Sequence, residues 1–165
     1  MEISKHKKYF LFLLVVVMII LAAGCGKQTV PLLEVMDGED MVNEIHVSHG
    51  MKGHDAINDK AVIQRVIETL GEVDVYQLSA REESKFFENG EKLTGKQDFY
   101  TFTLIQRDTE DGTVKRVVGI AMVFEDGSVY VADPEIVADE DRPAAYLSKD
   151  RHPALMADIG KIIGF

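Results

Sequence analysis

The strongest constraint on the fold is a run of alternating residues between positions 99 and 132, which two Asp-Gly pairs interrupt. Apolar side chains occupy every second position over much of this run, as expected for strands with one buried face. Asp-Gly is a favoured pair in the tight turns of β-hairpins. Asp111-Gly112 and Asp126-Gly127 therefore predict an antiparallel meander. Its three predicted strands are 99–107, 113–124 and 128–132.

The clearest helix in the sequence begins at Asn58-Asp59. Apolar residues recur at helical spacing from Val62 to Leu70, which places them on one side of a helix. Asn58 is predicted to cap this helix and Asp59 to lie at the positive end of its dipole. Gly71 is predicted to end it. A second helix is predicted to begin at Pro153, where proline suits the first turn.

The remaining segments give weaker patterns. Strands are predicted at 42–47 and 73–79, and the charged segment 80–97 is predicted to be an exposed loop or loose hairpin. Residues 30–36 are more apolar than a free linker, and part of them is predicted to add an edge strand. The expected fold is α+β, with an antiparallel sheet of about four to five strands and one or two helices packed on one face. It forms a single domain at 41–165.

The N-terminal residues predict export from the cytoplasm. Three lysines and one acid precede an uncharged apolar run from Phe10 to Ala23. A basic start, a short apolar core and small residues at its end are the parts of a secretory signal. The apolar run is shorter than the ~20 residues that a permanent transmembrane helix needs. The sequence therefore favours a signal peptide over a membrane-spanning anchor.

The end of this signal contains the only cysteine in the chain, Cys25, preceded by the small residues Ala22–Gly24. This ending resembles the lipobox of bacterial lipoproteins, although alanine stands where that family prefers leucine, three places before the cysteine. The resemblance implies that residues 1–24 are removed and that the Cys25 thiol carries diacylglycerol. The protein is then held on the cell membrane, facing outside the cytoplasm. Residues 25–40 are predicted to be the tether between this anchor and the domain.

The order of the predicted elements carries a second, broader resemblance. A strand is followed by a helix that begins with Asn58-Asp59-Lys60-Ala61-Val62-Ile63 and then by a meander. This arrangement resembles a loose group of small Gram-positive lipoproteins of unknown function, over about residues 41–132. The resemblance implies a fold and a location, and it brings no activity or cofactor with it.

The charge of the chain limits its partners. The sequence has 28 acidic and 18 basic residues, a net charge of −10, and loss of residues 1–24 removes three lysines and one glutamate to leave −12. Nucleic-acid binding depends on lysine and arginine neutralising phosphates, so we expect no nucleic-acid partner. Anionic lipid would also repel such a body, which predicts that the domain stands off the membrane.

Three histidines lie close together in the sequence, at His46, His49 and His54. Neutral imidazoles with nearby carboxylates are the ligands that zinc and copper prefer. The spacing matches no compact metal motif, so a polar loop of solvated histidines is the alternative. A metal site at His46, His49 and His54 is therefore a hypothesis that the structure must test by geometry.

Acidic and aromatic clusters offer further candidates. Acids at 108–111 and 133–141 are potential oxygen ligands for calcium, and solvated acidic turns are the alternative. Phe99, Tyr100, Phe102 and Tyr130 either form an interaction surface or belong to an ordinary core.

Motifs for catalysis are not found. The sequence has no Gly-x-Ser-x-Gly elbow and no phosphate-binding glycine loop. Its one thiol belongs to the proposed anchor. The sequence therefore favours a non-catalytic lipoprotein without a cofactor, which binds a protein or an envelope component. The alternative is a metal-binding lipoprotein that uses the segment His46–His54.

Overall fold

The computed structural model describes residues 27–36, 38–50, 52–53, 56–88, 98–132 and 145–164. Within these ranges the chain forms one antiparallel sheet, in the spatial order β1-β4-β8-β7-β6-β5-β2-β3. The strands are β1 (Thr29–Pro31), β2 (Glu44–His49), β3 (Lys52–Gly53), β4 (Asp74–Gln77), β5 (Phe99–Arg107), β6 (Val114–Phe124), β7 (Val129–Ala132) and β8 (Ala145–Ser148). The helices are α1 (Leu32–Val35), α2 (Lys60–Gly71), α3 (Ala80–Glu88) and α4 (Leu155–Ile163), with a 3-10 turn at Glu39–Met41.

The predicted fold class is confirmed in outline and wrong in its details. The chain is α+β with one antiparallel sheet, as expected. The described residues, however, form eight strands and four helices instead of four to five strands and one or two helices. The helices also cover both faces of the sheet, because α3 packs on the face opposite to the other three. Strands of two to four residues, such as β1, β3 and β8, are too short to show an alternating pattern.

The predicted meander is confirmed, since β5, β6 and β7 pair in succession. Both Asp-Gly turns are present, and their glycines have positive φ angles of 71° at Gly112 and 81° at Gly127. At Gly127 a Cβ atom would also lie 2.5 Å from the backbone of His152, so the turn packs directly against the segment before α4. A register shift after Leu104 leaves Val118 as an extra residue in β6.

The central strands are apolar on both sides, which produces two cores. The larger core lies between the sheet and α1, α2 and α4, and includes Phe102 and Val123. The smaller core lies under α3 and includes Phe124 and Tyr130. Val123 and Phe124 are adjacent in β6 and both have no exposed surface. Because neighbouring strand residues point to opposite faces, the sheet requires cover on each.

Part of the segment 25–40, which was predicted to be a tether, belongs to the fold. Thr29–Pro31 form β1 and Leu32–Val35 form α1. The predicted edge strand is confirmed, because β1 pairs with β4 through Thr29 and Tyr76. Leu32 and Met36 then enter the larger core with exposures of 0% and 2%. The Met36 side chain lies over Gly119, where a Cβ atom would come within 2.9 Å of it. The sheet fold therefore includes the chain from Thr29 onwards.

Helix α2 begins one residue later than predicted. Asp59, and not Asn58, is the capping residue, because its Oδ1 accepts hydrogen bonds from the amides of Ala61 at 2.8 Å and Val62 at 3.1 Å. A carboxylate also interacts favourably with the positive end of the helix dipole. The helix ends at Gly71 as predicted.

Residues 80–97 were predicted to be an exposed loop or loose hairpin. Helix α3 contradicts this prediction for the residues that it covers, Ala80–Glu88. Ser79 and Glu82 form a capping box, in which the Ser79 amide and hydroxyl donate to Glu82 Oε2 at 3.0 and 2.8 Å. Phe86 and Phe87 then pack on the smaller core. The high charge of the segment hid this pattern from the sequence analysis. Residues 89–97 of that prediction lie outside the described residues.

The packing of α1 leads to a stability prediction. We expect Leu32→Ala to lower the free energy of unfolding by about 2–5 kcal/mol, since it opens a cavity in the larger core. Glu34→Ala is the matched control, because Glu34 lies on the exposed side of the same helix and should change stability by less than about 0.5 kcal/mol. Urea unfolding measures both. Equal effects would contradict the docking of α1.

Candidate functional site

The described residues form a cleft of about 450 Å³. It lies between α4 and the end of the sheet where β5 begins and β6 ends. We call it the α4 cleft. Its lining includes Tyr100, Glu125, Met156, Ala157, Gly160 and Lys161.

The α4 cleft exists because the side of α4 that faces it has small residues. Ala157 and Gly160 leave space between the helix and Tyr100, whereas Leu155 and Ile159 fill the larger core. Met156 and Tyr100 are partly buried and form an apolar floor. Ligand sites are commonly apolar clefts with a few polar groups that fix orientation. The cleft has this composition.

The polar groups of the α4 cleft lie at its edge. Glu125 is exposed, and its backbone amide donates to the carbonyl of Asp98 at 2.8 Å. Lys161 is held by Asp158 one helical turn away, with Nζ 2.9 Å from Oδ1. Glu125 is thus the acid and Lys161 the base among the residues that line the cleft, and Lys161 is paired with Asp158.

His49 supports Tyr100 in the floor of the cleft. Its ring stacks on Tyr100 with 4.5 Å between centroids and 16° between planes. Its Nε2 lies 2.6 Å from Oδ1 of Asp98. These two contacts hold the Tyr100 ring in one orientation, which fixes the shape of the cleft on that side.

The histidines predicted to bind metal do not share a site in the described residues. His46 and His49 are three positions apart in β2, so their side chains point to opposite faces of the sheet. His46 contacts Glu44, and His49 contacts Asp98. His54 lies outside the described residues. Among the described residues, no group of three or more His, Cys, Asp or Glu side chains is placed to hold a metal ion. The metal site stays a prediction.

Two of the acids predicted as calcium ligands, Asp108 and Asp111, make contacts within the turn. Asp108 binds Lys115 at 2.8 Å and accepts from the Glu110 amide at 2.8 Å, and these contacts lower its pKa. Asp111 accepts from the amide and hydroxyl of Thr113, which lowers its pKa likewise. These side chains stabilise the hairpin turn. The acids at 133–141 lie outside the described residues.

The aromatic candidates divide between core and cleft. Phe102 and Tyr130 are 1% and 7% exposed and belong to the two cores. Phe99 packs on Phe124 in the smaller core. The Tyr130 hydroxyl donates to Glu83 at 2.7 Å, and burial followed by this hydrogen bond raises the pKa of Tyr130. Only Tyr100 among the four lines the α4 cleft.

An ion pair between the buried carboxylate of Glu44 and the partly exposed Arg107 was not found from the sequence. Glu44 is 7% exposed and accepts two hydrogen bonds from Arg107, from Nε at 2.7 Å and Nη2 at 2.6 Å. Arg107 also donates to the carbonyl of Gly112 at 2.6 Å. The hydrogen bonds from Arg107 lower the pKa of Glu44, more than burial raises it. The pair joins β2 to the β5–β6 turn.

Comparisons with protein-family models, with curated proteins and with solved structures found no match to this chain. Across the described residues, no helix is both long and apolar enough to cross a membrane.

The ion pair between Glu44 and Arg107 makes the free energy of unfolding depend on pH in the acidic range. The folded-state pKa of Glu44 lies below its ordinary value of 4.5, so its stabilising effect is complete above pH 4.5 and is lost as the pH falls further. We expect Glu44→Gln to lower the free energy of unfolding by about 2 kcal/mol at pH 7, and by less at pH 3. Urea unfolding at the two pH values measures the difference.

Glu110→Gln is the control for this experiment, because Glu110 is exposed in the same hairpin region. It should have little effect at either pH. An effect of Glu44→Gln that is the same at pH 7 and pH 3 would contradict the stabilising role of the charged pair.

Proposed function

We propose that this protein is a lipid-anchored, non-catalytic binding module on the outer side of the cell membrane. The proposed anchor is diacylglycerol on Cys25, supported by the apolar run and the small residues that precede this cysteine. Two acyl chains hold a protein on a bilayer far more firmly than one, at ~0.8 kcal/mol per buried methylene. The sequence supports the location, and the cleft supports the mode of binding.

The α4 cleft is the observation that carries the binding function. It combines an aromatic ring, a thioether and two small residues with charged groups at the edge. This chemistry suits a side chain that is apolar along its length and charged at its tip. We assign the cleft to binding because its lining supplies contacts to such a group, and we propose no reaction for it.

The charge of the site indicates the class of partner. Of the residues that line the cleft, Glu125 and Lys161 carry charge, and Lys161 is paired with Asp158. An exposed carboxylate at the edge of the cleft, on a chain of net charge −10, attracts cationic groups and repels anionic ones. We therefore propose that the partner is a protein or envelope component that presents a lysine-like or arginine-like group beside an apolar residue. The aromatic Tyr100 is suited to contact such a cation.

The anchor is tested by Cys25→Ser in cells that are fed an alkyne-labelled fatty acid. We expect the label to be lost entirely in this variant, because Cys25 is the only thiol of the chain. Gln28→Ser, three residues away, should keep full labelling. Labelling is the deciding measurement, since an uncleaved signal peptide would keep unlabelled protein in the membrane fraction. Labelling that persists in Cys25→Ser would contradict the anchor.

The cleft is tested by methyl NMR of the protein purified from membranes in detergent. A lysine-tyrosine-lysine peptide should shift the Met156 and Ala157 methyl signals saturably, and a glutamate-tyrosine-glutamate peptide should not. We expect Ala157→Trp to abolish the Met156 shift, because the new ring fills the cleft. Ala157 is exposed, so this substitution should leave the fold intact.

Ala61→Trp is the matched control, because Ala61 is also an exposed alanine of a helix but lies on α2, away from the cleft. It should bind the cationic peptide like the parent protein. Equal shifts with both peptides, or equal binding by both tryptophan variants, would contradict a cation-selective cleft.

A further inference from the structure

A second cavity lies beside α4, between the end of α2 and the start of α4. Its volume is about 340 Å³, and we call it the α2–α4 cavity. Its deepest lining residues are Val73 and Leu155, which are 1% and 8% exposed. The polar side chains around them are Thr69, Glu72, Arg151, His152 and Asp158. Like the α4 cleft, it combines apolar residues at depth with polar groups at the edge.

The two cavities flank the same part of α4. Pro153, just before the helix, lines both of them. Met156 and Gly160, four residues apart, line the α4 cleft, whereas Leu155 and Asp158, three residues apart, line the α2–α4 cavity. At 3.6 residues per turn, these two sets lie on different sides of the helix. A helix with its side chains is about 10–12 Å across, so groups bound in the two cavities lie on the order of 10 Å apart.

The α2–α4 cavity carries a net negative charge among the described residues. Arg151 approaches Asp126, with Nη2 3.7 Å from Oδ2, and Asp158 is paired with Lys161 at 2.9 Å. Each of these pairs has no net charge. Glu72 is exposed and forms no ion pair with another residue in the described ranges. The carboxylate of Glu72 is therefore available to a cationic ligand.

The end of α2 adds to this preference for a cation. The C-terminus of a helix carries a partial negative charge, and the last turn of α2 contains no basic residue that could offset it. Thr69 and Glu72 bring this end of the helix to the cavity. The methylene chain of a lysine or arginine can pack on Val73 and Leu155 while its charged end stays at the edge.

The α4 cleft presents the same chemistry to a ligand. Its carboxylate, Glu125, is exposed and also forms no ion pair within the described part of the chain. In an extended peptide, residues i and i+2 point to the same side with Cα atoms roughly 7 Å apart, whereas adjacent residues point to opposite sides. Two long basic side chains at i and i+2 can therefore spread far enough to enter both cavities.

We propose that the partner presents two basic side chains, at positions i and i+2 of an extended segment, one in the α4 cleft and the other in the α2–α4 cavity. This inference rests on the proposed function, because it takes the α4 cleft as the site of the first basic group. One exposed carboxylate holds a single cation weakly. Two linked contacts raise the affinity together, so the protein selects paired basic groups over single ones.

The proposal is tested by methyl NMR of the full protein, purified from membranes in a non-ionic detergent. Measurements are made at pH 8, where imidazoles are ordinarily neutral. The acetylated and amidated peptides are lysine-tyrosine-lysine, glutamine-tyrosine-lysine and lysine-lysine-tyrosine. Methyl signals of Met156 and Ala157 report on the α4 cleft, and those of Val73 and Ala154 report on the α2–α4 cavity.

We expect lysine-tyrosine-lysine to shift both sets of signals with one dissociation constant. It should bind at least roughly tenfold more tightly than glutamine-tyrosine-lysine, because its two contacts are linked. Lysine-lysine-tyrosine has the same charge but the wrong spacing, and it should gain no more than the factor of about two that a second equivalent lysine gives by statistics.

Glu72→Gln should remove most of the affinity gain of lysine-tyrosine-lysine and leave the Met156 shift by glutamine-tyrosine-lysine unchanged. Glu68→Gln is the matched control, because Glu68 is an exposed acid of the same helix that does not line the cavity. It removes the same charge from the chain and should leave the gain unchanged. Equal losses in the two variants would overturn the contact with Glu72.

The peptides also separate failure of this inference from failure of the proposed function. Basic peptides that do not shift Met156, or that shift it no more than glutamate-tyrosine-glutamate does, overturn the cation-selective cleft and this inference together. A selective Met156 shift without shifts of Val73 and Ala154, or with a gain of only about twofold, overturns the second contact alone. An equal gain for lysine-lysine-tyrosine overturns the proposed spacing.

Discussion

The structure depends on one constraint, which is that the central strands carry buried side chains on both faces. Val123 and Phe124 are neighbours in β6, and neither has exposed surface. Since consecutive strand residues point in opposite directions, a single helical layer would leave one of them in water. Burial of each large apolar side chain contributes about 1.5–3 kcal/mol, so cover on both faces is strongly favoured. The packing of α1, α2 and α4 on one face and of α3 on the other follows from this requirement.

The two faces of the sheet also differ in what their helices create. The helices of the larger core create the α4 cleft, because Ala157 and Gly160 leave space beside Tyr100. The smaller core fixes α3 through Phe86 and Phe87, which leaves Arg81 and Lys85 on its outer side. Lys27 attaches the chain near Cys25 to this second face.

Sequence patterns were reliable where an element was long and regular. The meander was predicted because β5 and β6 alternate over nine and eleven residues and end at Asp-Gly turns. Helix α3 was missed because its charged residues outnumber its two phenylalanines, although the Ser79–Glu82 capping box was present in the sequence. The hypothesis of a metal site rested on the closeness of His46 and His49 in the sequence, with a strand predicted only as far as residue 47. Because β2 continues to His49, the two histidines lie on opposite faces.

The sequence by itself determined the class of the fold, the central meander, the main helix and the residues of the proposed anchor, because each of these depends on local pattern. Only the tertiary structure decided that Leu32 and Met36 belong to the core, that Glu44 pairs with Arg107, and that Tyr100 meets α4 across a cleft. These contacts join residues far apart in the chain. Their geometry depends on which faces are buried together, and local spacing carries no information about that.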